Sequence, residues 1–183
     1  MGIAERKERE RSQRSEQIRN AAKGVFLGKG FNGATIEEIA NKAELSSGTI
    51  YLYYKNKDEL FASLILHSLE SLNLRLGDIL SKKKLPADQK LDQAWKALFR
   101  VFSSDPIAVR VIFHFQLEDA LQLLSPPLLS SLNEVSKKII NRIALIFQAG
   151  IDEGIYKELN PMALADILMS LFMGLIVWED AKR

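Results

Sequence analysis

The sequence predicts an all-α protein. Apolar residues recur at the spacing of one helix face, as they do at Ile18, Ala21, Ala22, Val25 and Phe26. Residues that cap helix starts, and glycines or prolines that stop helices, are spaced about one helix length apart. No stretch alternates apolar and polar residues regularly enough to predict a β-strand. We expect a domain of short helices in residues 1–60 and a larger helical domain in residues 61–183.

The composition excludes several functional classes. The chain has 183 residues and no cysteine, so it can have neither a disulfide framework nor a thiol nucleophile. This length can bury a core without a metal or disulfide to staple it. The N-terminus is densely charged and lacks the apolar segment of a signal peptide, which predicts a cytoplasmic protein. A net charge of +2 argues faintly against nucleic-acid binding, so such a function must depend on where the charges lie.

The first sixty residues contain closely spaced helix boundaries. The first helix is predicted to end at Gly28 and Gly30, because glycine accepts the left-handed conformation at a helix C-terminus. Thr35 with Glu38 has the spacing of a capping box, which predicts a short helix from this point. Ser46 is a second N-cap candidate, after a turn. Several short helices packed at angles follow from this spacing.

Longer helices are predicted in the rest of the chain. Asn56 is the candidate N-cap of a helix that extends to about residue 80. A second helix covers about 88–102, and Asp105-Pro106 restarts the chain. Residues 125–127 (SPP) begin a long helix to about residue 154, and Asn160 with Pro161 begins the last one.

Residues 35–52 have the proportions of a helix-turn-helix: a short helix, a tight turn and a second short helix. At 100° per residue, Ile50 and Tyr54 face inward, whereas Gly48, Tyr51 and Leu52 face outward. This outer face is small, polar and aromatic and has no acidic residue, as entry into a DNA major groove requires. By spacing alone, a helical hairpin whose tyrosines only cover the core fits equally well.

The residues of this segment also resemble a known family. Residues 31–40 (FNGATIEEIA) and 45–60 (LSSGTIYLYYKNKDEL) are similar to the DNA-binding domain of TetR-family repressors. The resemblance implies a homodimer that binds a palindromic operator and releases it when a small-molecule effector enters the C-terminal domain. It implies that Thr35 caps the first motif helix near a phosphate and that Lys57 holds the DNA backbone. In such a dimer the two recognition helices lie about 34–36 Å apart, one turn of DNA.

The residues predicted to bind DNA come from the second motif helix and its flanks. They are Thr35, Ser46, Ser47, Gly48, Thr49, Tyr51, Leu52, Tyr53, Lys55 and Lys57. Two positions depart from the family pattern. Glu44 stands in the turn where the family usually has glycine, at a cost on the order of 1 kcal/mol if it is left-handed. Ser47 stands where many members have a basic residue, which removes a possible phosphate or guanine contact.

Aromatic residues concentrate in the second predicted domain. A packed core explains them, and the alternative is an apolar effector pocket. The predicted effector-pocket residues are Trp95, Phe99, Phe102, Phe113, His114, Leu117 and Phe147.

The last two helices are predicted to form a four-helix dimer interface with their symmetry mates. The predicted interface residues are Ile139, Ile143, Ile146, Leu168, Leu171, Phe172 and Leu175. The final helix is apolar most of the way round, but a membrane span needs about twenty apolar residues and Asp166 interrupts this run. No membrane partner is expected.

Other motifs predict neither a cofactor, a metal site nor a catalytic site. Residues 28–33 (GKGFNG) match a dinucleotide-binding fingerprint in letters, but a helix and not a strand precedes them. His114 and Glu118 are spaced like metal ligands on a helix, but no second pair accompanies them. The favoured function is therefore a ligand-controlled repressor, and the alternative is a helical lipid or small-molecule carrier with a vestigial DNA-binding head.

The placement of charge refines the near-neutral total. The predicted recognition helix is uncharged, and Lys55 and Lys57 follow it. Near the N-terminus, Arg6, Arg9, Arg11 and Arg14 form an arginine-rich arm diluted by glutamates, which either follows a phosphate backbone or is disordered. We expect modest non-specific DNA binding with a shallow salt dependence.

Overall fold

The computed structural model describes residues 2–104, 107–108, 111, 114 and 119–182. Within these residues the chain is helical and contains no β-strand, which confirms the all-α prediction. The α-helices are α1 (Ile3–Gly33), α2 (Ile36–Lys42), α3 (Ser47–Tyr51), α4 (Lys57–Ser81), α5 (Ala87–Ser104), α6 (Pro126–Asp152) and α7 (Pro161–Ala181), and a 3₁₀-helix covers Asp119–Leu123.

The chain divides into two compact units. The first comprises Met1–Ile65 and Val111–Leu128, and the second comprises Leu66–Arg110 and Leu129–Arg183. Helix α4 begins in the first unit and ends in the second. The predicted division at residue 60 therefore misses the return of residues 111–128 to the first unit. Contacts between residues far apart in sequence hold this segment there, so local patterns could not predict it.

Helix α1 includes the N-terminal arm, and of the two glycines predicted to end it only Gly30 has a positive φ. Gly28 lies within the helix, and the kink is at Gly30, which has φ 71°. The predicted arm is helical from Ile3 onward, because charged side chains pair along the helix. Arg6 Nε donates to Glu10 Oε1 over 2.8 Å, four residues on. The Glu5 carboxylate accepts from the Gly2 amide and helps to satisfy the helix N-terminus.

The core of the first unit is built on Phe26 and Phe61. Both side chains are buried, and their ring centroids lie 4.7 Å apart. Phe31, just after the kink, lies 5.0 Å from Phe61, so it closes the end of this core. Ile18 and Ile39 bring α1 and α2 into the same buried layer. This core holds the short helices α2 and α3, which could not be stable in isolation.

The core of the second unit contains a different aromatic cluster. Phe172 of α7 is fully buried, with its ring centroid 5.5 Å from that of Trp95 and 5.1 Å from that of Phe102. Both pairs meet edge to face, the geometry that aromatic quadrupoles favour. The cluster joins α5 to α7.

Candidate nucleic-acid interface

Three capping interactions fix α2, α3 and α4 where the sequence predicts their starts. Thr35 Oγ1 accepts from the Glu38 amide over 3.2 Å, and the Glu38 carboxylate accepts from the Thr35 amide over 3.3 Å. Ser46 Oγ accepts from the Thr49 amide over 3.1 Å. Asn56 Oδ1 accepts from the Glu59 amide over 2.8 Å. Each bond satisfies an amide that the first turn leaves without a helical acceptor.

The turn between α2 and α3 depends on a left-handed residue. Glu44 has φ 55°, the conformation for which glycine is usual. The Leu45 amide donates to Ala40 O over 2.9 Å, closing the helix end in the manner of a Schellman motif. Glu44 is exposed, so it bears the strain of the turn without a packing role.

We expect Glu44→Gly to raise the free energy of unfolding by about 0.5–1 kcal/mol. Relief of the left-handed strain, about 1–2 kcal/mol, exceeds the entropy that glycine adds to the unfolded chain, about 0.5–1 kcal/mol. Urea denaturation followed by circular dichroism measures the difference. The matched control is Glu16→Gly in α1, which has no strain to relieve and should lower stability by about 1 kcal/mol. Equal losses in the two variants would contradict the role assigned to the turn.

Helix α3 has one buried side and one exposed side, as its periodicity predicts. Ile50 is fully buried and Tyr54 is nearly so. Tyr51 is 54% exposed and Leu52 is 77% exposed, an unusual state for large apolar side chains. Gly48 lies on the exposed side, and Ser47 and Thr49 are half-buried beside it. The exposed surface is therefore aromatic, apolar and hydroxylated, and it bears no acidic group.

The two lysines after α3 have different environments. Lys55 is exposed. Lys57 Nζ donates to Phe31 O over 2.8 Å and to Ala34 O over 3.1 Å, and it lies 4.3 Å from the centroid of the Phe31 ring. An ammonium has three donors, so one remains for a phosphate. Lys57 also caps the carbonyls at the end of α1, a role that the sequence did not indicate.

Helix α1 is hydrogen-bonded to the residues that follow α2 and α3, which sequence patterns did not reveal. The hydroxyl oxygens of Ser15 and Tyr54 lie 2.8 Å apart, and Arg19 Nη1 donates to Ser15 Oγ over 2.7 Å. Gln17 Nε2 donates to Ala43 O at the end of α2 over 2.7 Å. These bonds orient both motif helices against α1. Helical periodicity identifies Tyr54 as inward-facing but cannot name its partner.

Glu59 holds the segment after the 3₁₀-helix against the start of α4. One carboxylate oxygen accepts from the Ser125 amide over 2.9 Å, and the other accepts from the Lys55 amide over 2.7 Å. Burial opposes ionisation of Glu59, but the hydrogen bonds from Ser125 and Lys55 outweigh it and lower its pKa. Because the folded-state pKa is depressed, this stabilisation is present above the unfolded-state pKa. It is lost as the pH falls through the folded-state value.

His114 lies in the first unit, so its predicted place in the second domain is wrong. Its Nε2 atom is 3.1 Å from Asp58 Oδ1, and its ring centroid is 4.0 Å from that of Phe31. The ring also meets Phe61 edge to face. The spacing of His114 and Glu118 is that of two metal ligands on one helix face, whereas the fold packs His114 into an aromatic cluster beside Asp58. Among the described residues, no group of His, Asp and Glu could hold a metal ion.

The remaining predicted effector-pocket residues are dispersed. Trp95 and Phe102 meet at Phe172, whereas Phe147 lies 5.9 Å from Tyr156. Phe99 is largely exposed on α5. Phe113 and Leu117 lie outside the described residues.

A basic groove between α4 and α5 of the second unit is a feature that the sequence analysis missed. It has a volume of about 330 Å³. Its charged lining residues are Arg75, Asp78, Lys82, Lys96 and Arg100. Their excess of positive charge could attract an anionic group. The signal was available in the one-turn spacing of Arg75, Asp78 and Lys82 on a predicted helix.

Four of the predicted dimer-interface residues belong to the core of the second unit. Ile139, Ile143, Ile146 and Phe172 are buried within the single chain, so a partner cannot contact their side chains. Periodicity identified the apolar faces of α6 and α7 but could not tell which face packs internally. Leu171 and Leu175 remain exposed, and Leu168 is half-buried.

Four of the exposed apolar residues of α7 share one side of the helix. Ile167, Leu171, Leu175 and Trp178 recur at intervals of three or four residues, and each has a substantial exposed fraction. Pro161–Glu179 is long and apolar enough to cross a membrane, and little of it is buried inside the unit. Exposed apolar residues grouped on one side of a helix are typical of a contact site.

Comparison with known proteins agrees with these features. Residues 18–64 match the family model described as bacterial regulatory proteins, tetR family. The chain is 31% identical over 149 residues to the fatty acid metabolism regulator protein of Bacillus subtilis, covering 81% of this chain and 74% of that protein. It is 27% identical over 146 residues to the HTH-type transcriptional repressor KstR2 of Mycobacterium tuberculosis, covering 80% of this chain and 70% of the repressor.

A solved structure extends the likeness to both units. The transcriptional regulator FadR from Bacillus subtilis, in complex with stearoyl-CoA, matches with a TM-score of 0.71 at 29% identity. The match covers 92% of this chain and 89% of that one. These relatives are regulators and not enzymes. The chain belongs to the TetR family of bacterial regulatory proteins and is a DNA-binding transcriptional regulator.

Proposed function

We propose that the chain is a repressor that inserts α3 into the major groove of a palindromic operator. The exposed side of α3, where Tyr51 and Leu52 are bared beside Gly48, carries this proposal. Hydroxyl groups reach base edges or phosphates, and apolar groups pack on the thymine methyl. Thr35 lies at the start of α2 and Lys57 at the start of α4, and we assign both to binding DNA phosphates beside the groove.

Selection of bound sequences from random duplexes tests this proposal directly. A repressor should enrich a palindrome whose half-sites are centred about one helical turn apart. Its affinity for duplex should fall as salt rises, because phosphate contacts release counterions. A carrier with a vestigial head should enrich no sequence and bind no duplex, which would contradict the proposal. Family membership does not favour this alternative.

The operator-binding form is proposed to be a homodimer joined through α7. Leu171 on its exposed apolar side is 65% exposed, and Leu145 of α6 is a further exposed apolar residue of the second unit. A two-fold interface brings the same surface from both copies together, so each of these residues occurs twice in the interface. This arrangement keeps part of the predicted interface, Leu171 and Leu175 with Leu168, and replaces its buried members.

We expect Leu171→Glu to convert the dimer to a monomer at micromolar concentration. The carboxylate would be desolvated twice in a symmetric interface without a cation to pair it. Sedimentation velocity measures the change, and operator affinity should fall with it because the half-sites no longer bind together. Ile155→Glu is the control, since it makes the same change at an exposed apolar residue outside α6 and α7. A Leu171→Glu protein that remains dimeric would contradict this interface.

The effector is proposed to be a long-chain acyl thioester of coenzyme A. A relative is named for fatty acid metabolism, and a structural neighbour was solved with stearoyl-CoA. In this chain, the basic groove of α4 and α5 offers cations to phosphate groups. An acyl tail would need an apolar site, and the apolar side chains of the second unit, Phe172 among them, are the candidates to form it.

We expect stearoyl-CoA to release the selected operator duplex. Release follows if the thioester binds better to the form that does not bind DNA, since the two affinities are reciprocally coupled. Fluorescence anisotropy of labelled duplex measures it, with coenzyme A and stearate as separate controls for head and tail. Release by stearate at the same concentration would contradict a role for the coenzyme A head. Lack of release by all three would contradict the proposed effector class.

Helix α4 provides one covalent connection for this coupling. It begins six residues after the end of α3 and continues into the second unit without a break in helical structure. A long helix transmits displacement of one end to the other, because its backbone hydrogen bonds resist bending. An effector that favours a different position of α4 would change the spacing of the two recognition helices.

A further inference from the structure

The first four turns of α1 extend the predicted recognition surface with a row of cations. Lys7, Arg11 and Arg14 follow the spacing i, i+4, i+7 and lie within about 60° of one another around the helix. Ile18 continues the same stripe and is fully buried in the first unit. The side of α1 that packs on the motif helices therefore continues beyond them as a basic side.

This basic side adjoins α3 directly. Lys7, Arg11 and Arg14 line a depression of about 440 Å³ together with Glu10, Leu52 and Tyr53. The guanidinium carbon of Arg11 lies 5.9 Å from the centroid of the Tyr53 ring, within the range of a cation–π contact. Leu52 and Tyr53 belong to the predicted DNA-binding set, so the cations border the recognition surface without a gap.

The acidic residues of this segment are turned away or paired. Glu5 lies at least about 120° around the helix from each member of the basic row, and Glu8 lies about 60° from Arg11 but at least about 100° from Lys7 and Arg14. Glu10 lines the depression, but its carboxylate is paired with Arg6 over 2.8 Å. The basic row therefore presents a positive surface although the segment as a whole is nearly balanced.

We propose that Lys7, Arg11 and Arg14 bind the DNA phosphate backbone beside the groove that α3 enters. The inference rests on the proposed DNA-binding mode of α3. It assigns α1 a second role, in which a rigid helix and not a disordered arm carries the cations. A helix holds its side chains in place before binding, so these contacts cost little ordering entropy. The contacts carry no sequence information, because every phosphate presents the same oxygens.

A pair of charge-matched double variants of the full-length chain tests the proposal. Arg11→Gln with Arg14→Gln removes two cations from the basic row, whereas Lys83→Gln with Lys84→Gln removes two exposed cations from the loop between α4 and α5. Binding to the selected operator and to a random duplex is measured between 50 and 200 mM salt, a range over which phosphate contacts act strongly. Arg11→Lys with Arg14→Lys retains the charges, so it separates the loss of charge from the effect of a changed side chain.

We expect the Arg11/Arg14 glutamine variant to reduce the slope of log affinity against log salt by about 1.8, since each lost contact removes about 0.9. Its affinity should fall by a similar factor for both duplexes, and the lysine variant should retain the parental slope. Equal slopes in the two glutamine variants would overturn the proposal while leaving the function of α3 intact. If the parental chain shows no salt-dependent binding to either duplex, the proposed function fails and this inference fails with it.

Discussion

Phe172→Ala is expected to lower the free energy of unfolding by about 3–5 kcal/mol, the range for loss of a buried aromatic side chain. Phe172 has no exposed surface and joins Trp95 of α5 to Phe102 through edge-to-face contacts. Its removal leaves a cavity that neighbouring rings cannot fill without leaving their rotamers. Chemical denaturation followed by tryptophan fluorescence measures the loss.

The neighbouring residue provides the control for this prediction. Leu171 is one position away but exposed, so Leu171→Ala should cost less than about 1 kcal/mol in the monomer. Its effect should grow with protein concentration if it lies in a dimer interface, because association stabilises the folded state. The Phe172→Ala loss should not depend on concentration. Equal, concentration-dependent losses would contradict the assignment of Phe172 to the core.

Tyr51→Ala is expected to weaken operator binding by about 1–3 kcal/mol, the value of one good base contact. The side chain is more than half exposed at the last residue of α3, so its removal should leave the folded state nearly unchanged. Anisotropy titration with the selected operator measures affinity, and titration with a random duplex separates base contacts from phosphate contacts. The loss should be larger for the operator.

Two further substitutions define what Tyr51 contributes. Tyr51→Phe retains the ring and removes the hydroxyl, so it shows whether a hydrogen bond or apolar packing carries the contact. Tyr54→Phe changes an inward-facing tyrosine whose hydroxyl meets Ser15, and it should affect stability more than operator specificity. Unchanged operator affinity in Tyr51→Ala would show that the wrong side of α3 has been assigned.

The helix starts could be predicted because capping is local. Thr35, Ser46 and Asn56 each bond to an amide three residues ahead, so a short stretch of sequence contains the whole interaction. The inward and outward sides of α3 follow from the same local geometry. The strained turn at Glu44 was also predictable, but from the family resemblance, since a glutamate gives no signal of a left-handed conformation.

Features that depend on distant partners could not be predicted in this way. Lys57 was expected to bind the DNA backbone, yet its ammonium also donates to the carbonyls of Phe31 and Ala34, more than twenty residues earlier. His114 was assigned to an effector pocket, yet it packs on Phe31 beside Asp58. Periodicity states that a side chain faces inward but does not state which element it meets.

The sequence by itself determined the all-α fold, the helix starts and the exposed side of the recognition helix, because each follows from contacts within one or two turns. It also determined a net charge of +2, which conceals a basic row along α1. Only the tertiary structure decided that residues 111–128 join the first unit and that Phe172 is core while Leu171 is surface. The placement of the basic row beside Tyr53 also depends on the tertiary structure. Such choices depend on long-range packing, in which residues far apart in sequence compete for the same buried surface.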